Sequence, residues 1–156
     1  PHRANPMHQT VRLLARVIQV RDVDAPQTVG YGAAHQVTRP SRIATIAIGY
    51  GDGYMRAVGS IANSAGAQPR ALDDTAGAKA YIGETAVPVV GRVSMDLITL
   101  DVSSVAPDRV RPGAIVELMG DHNPVDELAR WAGTIGYEIL TGLGPRLHRI
   151  YSGGAR

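Results

Sequence analysis

Apolar and polar positions alternate through Val11–Val23 (VRLLARVIQVRDV), and the β-branched content of that stretch predicts a long strand. The turn signal DAPQ (Asp24–Gln27) ends it, and TVGYGAAHQV is expected to continue as a strand carrying a glycine-flanked tyrosine. After the break at Arg39–Ser41, RIATIAIGY (Arg42–Tyr50) alternates again and runs into the turn GDGY (Gly51–Tyr54). Met55–Lys79 is small, polar and Gly/Ala-rich, which predicts an exposed mobile loop. Ala86–Ser104 reads as two strands hinged near Gly91–Met95, and Ala114–Gly120 as another strand. The period then changes. Asn123–Gly133 has Asn as a candidate N-cap, Pro at the first helical position, Asp126 and Glu127 in the first turn and Gly133 just past the end. Thr134 is placed to cap a second short helix, IGYEILTGL, and Arg146–Ser152 reads as a last strand or extended tail. The pattern is mostly β, with a helical segment near the C-terminus.

The chain has 156 residues, enough for one domain with its own core. Phe is absent, Trp occurs once and Tyr six times, so the core must be built from Val, Ile, Leu, Ala and Met. The absence of Cys excludes disulfides, Cys-ligated zinc and a thiol nucleophile, and is compatible with a cytoplasmic location. The five histidines have no metal-ligand spacing, so no metal is expected. No apolar run reaches the roughly 18 residues that span a bilayer, and no membrane partner is expected. The net charge of +2 comes from scattered arginines and a single lysine, Lys79, which does not make the concentrated basic face of a nucleic-acid binder. Pro1–Thr10 lacks the apolar run of a signal peptide and reads as a linker or the tail of a preceding domain.

Four places could carry chemistry. Tyr31 stands between two glycines, which permit close backbone approach to a ligand. Tyr50, Asp52 and Tyr54 sit at a strand-to-turn junction. Arg92, Met95 and Asp96 lie at a Gly-hinged bend, where Arg92 and Asp96 could form a surface ion pair of little energetic weight. Tyr137 sits on a capped helix beside Glu138. Each also has an ordinary meaning: a strand tyrosine with its hydroxyl at the surface, a hairpin turn, a surface pair, a ring packed on a sheet. Spacing alone favours the ordinary meaning at Tyr31 and at the Tyr50 turn, and names no reaction at any of the four.

Taken in order, TVGYG, RIATIAIGYGDGY, PVVGRVSMD and DELARWAGTIGYEILTGLGPR resemble successive motifs of the alanine racemase family, from about Asn5 to Tyr151. The resemblance implies the family's C-terminal domain, a mainly β, barrel-like fold with one or two short helices near its end, over residues 11–152. Residues 1–10 would then be a linker from an N-terminal barrel, and 153–156 a tail. That barrel, absent here, binds pyridoxal phosphate through a Schiff-base lysine. The C-terminal domain covers the barrel mouth of the partner subunit in a head-to-tail homodimer.

Racemisation takes a proton from one face of the amino acid and returns one on the other. The cofactor acts as electron sink and two acid/base groups flank the reacting carbon. By motif, Tyr31 resembles the tyrosine that serves one face. Met95 resembles the residue whose backbone N–H meets the substrate carboxylate, Tyr50 a tyrosine lining the same opening, and Tyr137 the tyrosine touching the cofactor phosphate. Arg92 and Asp96 resemble polar residues of the access path. Tyrosines crowding the opening suit a small substrate such as alanine, and in a bacterium the D-alanine would serve peptidoglycan synthesis. The stretch Val58–Lys79 looks longer than the family's usual link, and Lys79 within it has the context of a surface lysine. Alone, the chain is expected to be inactive. The alternatives are a racemase of serine or of many amino acids, a stand-alone non-catalytic binding module, and a small nucleic-acid-binding barrel. Substrate profiling, the upstream coding sequence and a salt-dependent oligonucleotide shift would separate them.

Overall fold

A computed structural model describes residues 9–59 and 78–153. The first strand, β1 (Leu13–Val23), buries Leu13, Ala15 and Val17 in alternation, as its sequence pattern requires. A hairpin follows, of β2 (Gln27–Val29) and β3 (His35–Val37). The remaining strands are β4 (Ser41–Ile46), β5 (Lys79–Ile82), β6 (Thr85–Val90), β7 (Ile98–Asp101) and β8 (Ile115–Met119). Six of them close a barrel in the order β1-β4-β7-β6-β5-β8. Closure depends on β1 serving two neighbours: Leu13–Arg16 pair with β8, and Val17–Val23 pair with β4. Irregularities in register within β1 accompany that change of partner, as barrel corners require.

The interior is aliphatic. Val17, Ile46, Ile48, Ile98, Leu100, Leu118 and Met119 are fully buried, and Tyr54 is the only aromatic among the buried core residues described. Its hydroxyl has no hydrogen-bond partner among the described residues, and burial pushes the phenol well above its ordinary range. Two helices, α1 (Val125–Ala132) and α2 (Gly136–Gly142), cover one side through Leu128, Ala129 and Ile139.

Several local expectations change. TVGYGAAHQV is not one strand: Gly30, Gly32 and Ala33 all take positive φ, so the chain folds back through a tight turn at Tyr31–Ala33. β5 was not expected, and Lys79 opens it instead of lying in a loop. The part of the predicted loop that spans 60–77 lies outside the described residues. Asn123 does not cap α1; its amide donates to the carbonyls of Leu118 and Lys79 and joins β8 to β5. Thr134 caps nothing; its hydroxyl meets the Glu138 carboxylate. Arg146–Ser152 forms no strand.

Where β8 meets β5, a polar cluster braces the closure. The nearly buried Glu117 takes the Arg12 guanidinium at 2.8 Å, and its other oxygen takes both the backbone N–H and ring Nδ1 of His122, at 2.9 and 3.1 Å. His122 Nε2 lies 3.1 Å from Glu84, and its ring stacks on Tyr81. Burial pushes the Glu117 carboxyl up, but the His122 backbone N–H, Arg12 and the His122 ring outweigh it and hold the group below the usual carboxylate range. Glu84 first, then Glu117, holds His122 above its ordinary value. The Glu117 contribution to stability is therefore present above its unfolded pKa and lost as pH falls through the lower folded one. The His122 contribution is present below about 6.5 and lost as pH rises through the raised folded value. The melting temperature is expected to fall on going from pH 6 to pH 8.5, and His122→Gln should flatten that slope. Parallel profiles for the two proteins would sink the linkage.

Candidate functional site

The four motif segments meet through backbone packed against backbone. A Cβ on Gly30 would lie 3.0 Å from Gly91 Cα, so only two glycines let the Tyr31 turn rest on the bend that follows β6. The next contact is tighter. A Cβ on Gly49 would lie 2.3 Å from the Ser94 oxygen and 2.4 Å from that of Met95. That closeness lets the N–H groups of Tyr50 and Gly51 donate to the Ser94 and Met95 carbonyls, at 3.0 and 2.8 Å. The end of α2 then docks on Gly53, and the Gly144 N–H donates to the Asp52 carbonyl at 2.9 Å.

This packing joins the segments but spreads their side chains. Tyr31 (71% exposed) and Arg92 line an open depression of about 530 Å³ with Ile18, Ser94, Leu97 and Thr99. Tyr50 (45% exposed) and Met95 (51% exposed) flank the contact between the Tyr50 turn and the Ser94–Leu97 bend. Tyr137 projects from α2 and is 80% exposed. Among the described residues, the hydroxyls of Tyr31, Tyr50 and Tyr137 make no hydrogen bond, and the Met95 N–H donates to nothing. Groups of this kind, open and held on a rigid frame, are the usual makings of a binding face.

The ion pair considered between Arg92 and Asp96 does not form. Asp96 is taken by Arg146, whose Nη2 lies 2.6 Å from Oδ1, while Arg92 has no carboxylate partner among the described residues. Arg146 also reaches Asp52 through Nε at 3.1 Å. Hydrogen bonding to Asp96, then the charge of Asp52, raise the guanidinium above its already high range. Asp52 is nearly buried, and its second oxygen accepts the Gly49 N–H at 2.9 Å. Arg146 and the structural use of Asp52 were not singled out from sequence. Their only local trace is an acidic residue inside the GDGY turn and an arginine just beyond α2.

Residues 10–151 match the family model described as alanine racemase, C-terminal domain. The chain belongs to this family. It is 47% identical to the alanine racemase of Rhodospirillum rubrum over 150 residues, which are 96% of this chain and 36% of that protein. Among solved structures, the biosynthetic alanine racemase of Pseudomonas aeruginosa is similar with a TM-score of 0.75 at 37% identity, over 91% of this chain and 35% of that one. The alanine racemase of Bartonella henselae, solved with covalently bound pyridoxal phosphate, is similar with a TM-score of 0.76 at 35% identity, over 90% of this chain and 34% of that one. The chain thus spans about a third of the length of the relatives it matches. The mainly β barrel with two short helices is the fold expected of an alanine racemase C-terminal domain.

Proposed function

We propose that this chain is the C-terminal domain of an alanine racemase that interconverts L- and D-alanine using pyridoxal phosphate held on an N-terminal barrel. In this reading residues 1–10 lead from that barrel, 11–152 form the domain and 153–156 trail it. The observation that carries the reading is the open Tyr31 phenol, held on the Gly30–Gly91 contact above a depression it shares with Arg92, in a chain that matches the family's C-terminal domain over residues 10–151.

The residues fit a cofactor carried by another body better than one bound here. They offer exposed phenols and a free N–H on one framework, but no amine: Lys79 is the only lysine, and it lines neither the depression nor the packed turns. When bound, pyridoxal phosphate withdraws electrons from the substrate and makes its α-proton acidic. Tyr31 exchanges that proton on one face; a group outside this chain serves the other. The Met95 N–H receives the substrate carboxylate, which a free backbone donor binds well. Tyr50 narrows the opening beside it, and Tyr137 donates to the cofactor phosphate. Arg92 and Asp96 line the path inward, and the positive charge of Arg92 favours an anionic carboxylate. The phenols are exposed because they face another subunit, in a head-to-tail homodimer. The protein works in the cytoplasm and supplies D-alanine for peptidoglycan.

The test uses the full-length protein loaded with pyridoxal phosphate. It is expected to convert L-alanine to D-alanine and to show one dimer-sized species on sizing with light scattering. Conversion of serine or another amino acid in preference to alanine would replace the substrate assignment. Absence of any racemisation by a fully loaded protein would end the reading.

A further inference from the structure

Two segments proposed to meet the substrate, the Tyr50 turn and the Ser94–Leu97 bend, come from opposite ends of different strands. Their backbones touch through two hydrogen bonds. One side chain ties them together from outside. Arg146 lies just beyond α2 and places Nε on Asp52 of the first segment and Nη2 on Asp96 of the second, at 3.1 and 2.6 Å. A guanidinium can do this because its planar fork presents several N–H groups in fixed directions; an ammonium of similar charge presents one point.

The Asp52 end is built in. Its carboxylate is nearly buried, takes the Gly49 N–H on one oxygen and Arg146 on the other, while its own carbonyl accepts the N–H of Gly144, two residues before Arg146. The Asp96 end is half-exposed and adjoins Met95, whose N–H has no partner among the described residues. The clamp therefore has a rigid anchor on the turn and a lever on the bend.

We propose that Arg146 is a positioning residue that sets the Met95 N–H against Tyr50 by bridging Asp52 and Asp96. The inference rests on the reading of Met95 and Tyr50 as substrate-facing. It assigns to Arg146 no contact with substrate. The reacting α-carbon is served by Tyr31, which sits on a different contact, that of Gly30 with Gly91. Loosening the clamp should thus weaken capture of the carboxylate more than it slows proton transfer.

The experiment measures alanine kinetics in the full-length, cofactor-loaded protein for Arg146→Lys, Asp96→Asn and the double variant. Each single variant is expected to raise KM about tenfold with kcat within about threefold, a change of about 1.4 kcal/mol in binding. The double variant should be no worse than the more affected single, because both break one bridge. The substrate α-deuterium isotope effect on kcat should not move. Asp96→Asn leaves the Asp52 anchor paired and decides the matter if Arg146→Lys does not fold. An unchanged KM, additive defects, or a fall in kcat alone would overturn the clamp. If Tyr31→Phe in the same protein leaves racemisation intact, the reading of the site is what fails, and the clamp fails with it. If Tyr31→Phe is inactive while Asp96→Asn keeps the parent KM, only the clamp fails.

Discussion

Replacing Tyr31 by Phe in the full-length protein is expected to abolish racemisation, lowering kcat by about 10³ to 10⁴-fold, the upper range for loss of a positioned acid/base group. The substitution removes one oxygen and leaves the ring. Tyr31 is largely exposed and its hydroxyl bonds to nothing described, so folding stability should not change. The sharper signature concerns symmetry. A reaction that needs one proton group per face loses only one of them. One enantiomer of alanine should still exchange its α-proton with deuterated solvent, while the other should not. Nuclear magnetic resonance of each enantiomer in D₂O reads this directly. If both enantiomers lose exchange equally with the cofactor still bound, Tyr31 does more than serve one face. If both keep it, Tyr31 is not the second base.

Gly53→Ala is expected to cost the largest amount of stability of any single methyl added to the described framework. Gly53 has φ +99, and a Cβ there would lie 2.0 Å from the Gly142 oxygen, where α2 ends. Backbone strain of this kind costs about 1–3 kcal/mol, and overpacking against backbone that cannot yield costs a further 1–3 kcal/mol or so. Gly113→Ala separates the two. Gly113 has φ +91 and nothing within 4 Å of the added atom, so it reports the strain alone. Denaturant unfolding should place Gly53→Ala well below Gly113→Ala, and the folded remainder of full-length Gly53→Ala should hold pyridoxal phosphate more weakly, because α2 carries Tyr137, the residue proposed to meet its phosphate. Equal losses for the two variants would mean that α2 yields freely and does not lock the Tyr50 turn.

These predictions draw on features of very different visibility in the chain. The alternation of Leu13, Ala15 and Val17 shows in the letters because a strand with one buried face repeats every two residues. The stop of α1 at Gly133 shows because a left-handed residue is needed there and glycine takes it cheaply. The exposed phenols were visible as motif residues, and the family resemblance gathered them in order. β5 escaped because KAYI is short and follows a Gly/Ala-rich stretch that carries no period. The letters of the Tyr31 segment favour a strand, while its conformation follows from docking Gly30 on Gly91.

The sequence by itself determined the mainly β character, the aliphatic core and the two C-terminal helices, since each follows from composition or from neighbours within a few residues; it left open which tyrosines are exposed, and Tyr54 of those it singled out is buried. Only the tertiary structure decided how β1 divides between β4 and β8 to close the barrel, and which charges pair. Asp96 lies four residues from Arg92 and fifty from Arg146, yet it pairs with Arg146. Proximity along the chain favours the first partner. The packing of Gly53 on the end of α2, together with the bond from Gly144 to Asp52, delivers the second at hydrogen-bond distance, and contact in space is what a charge responds to.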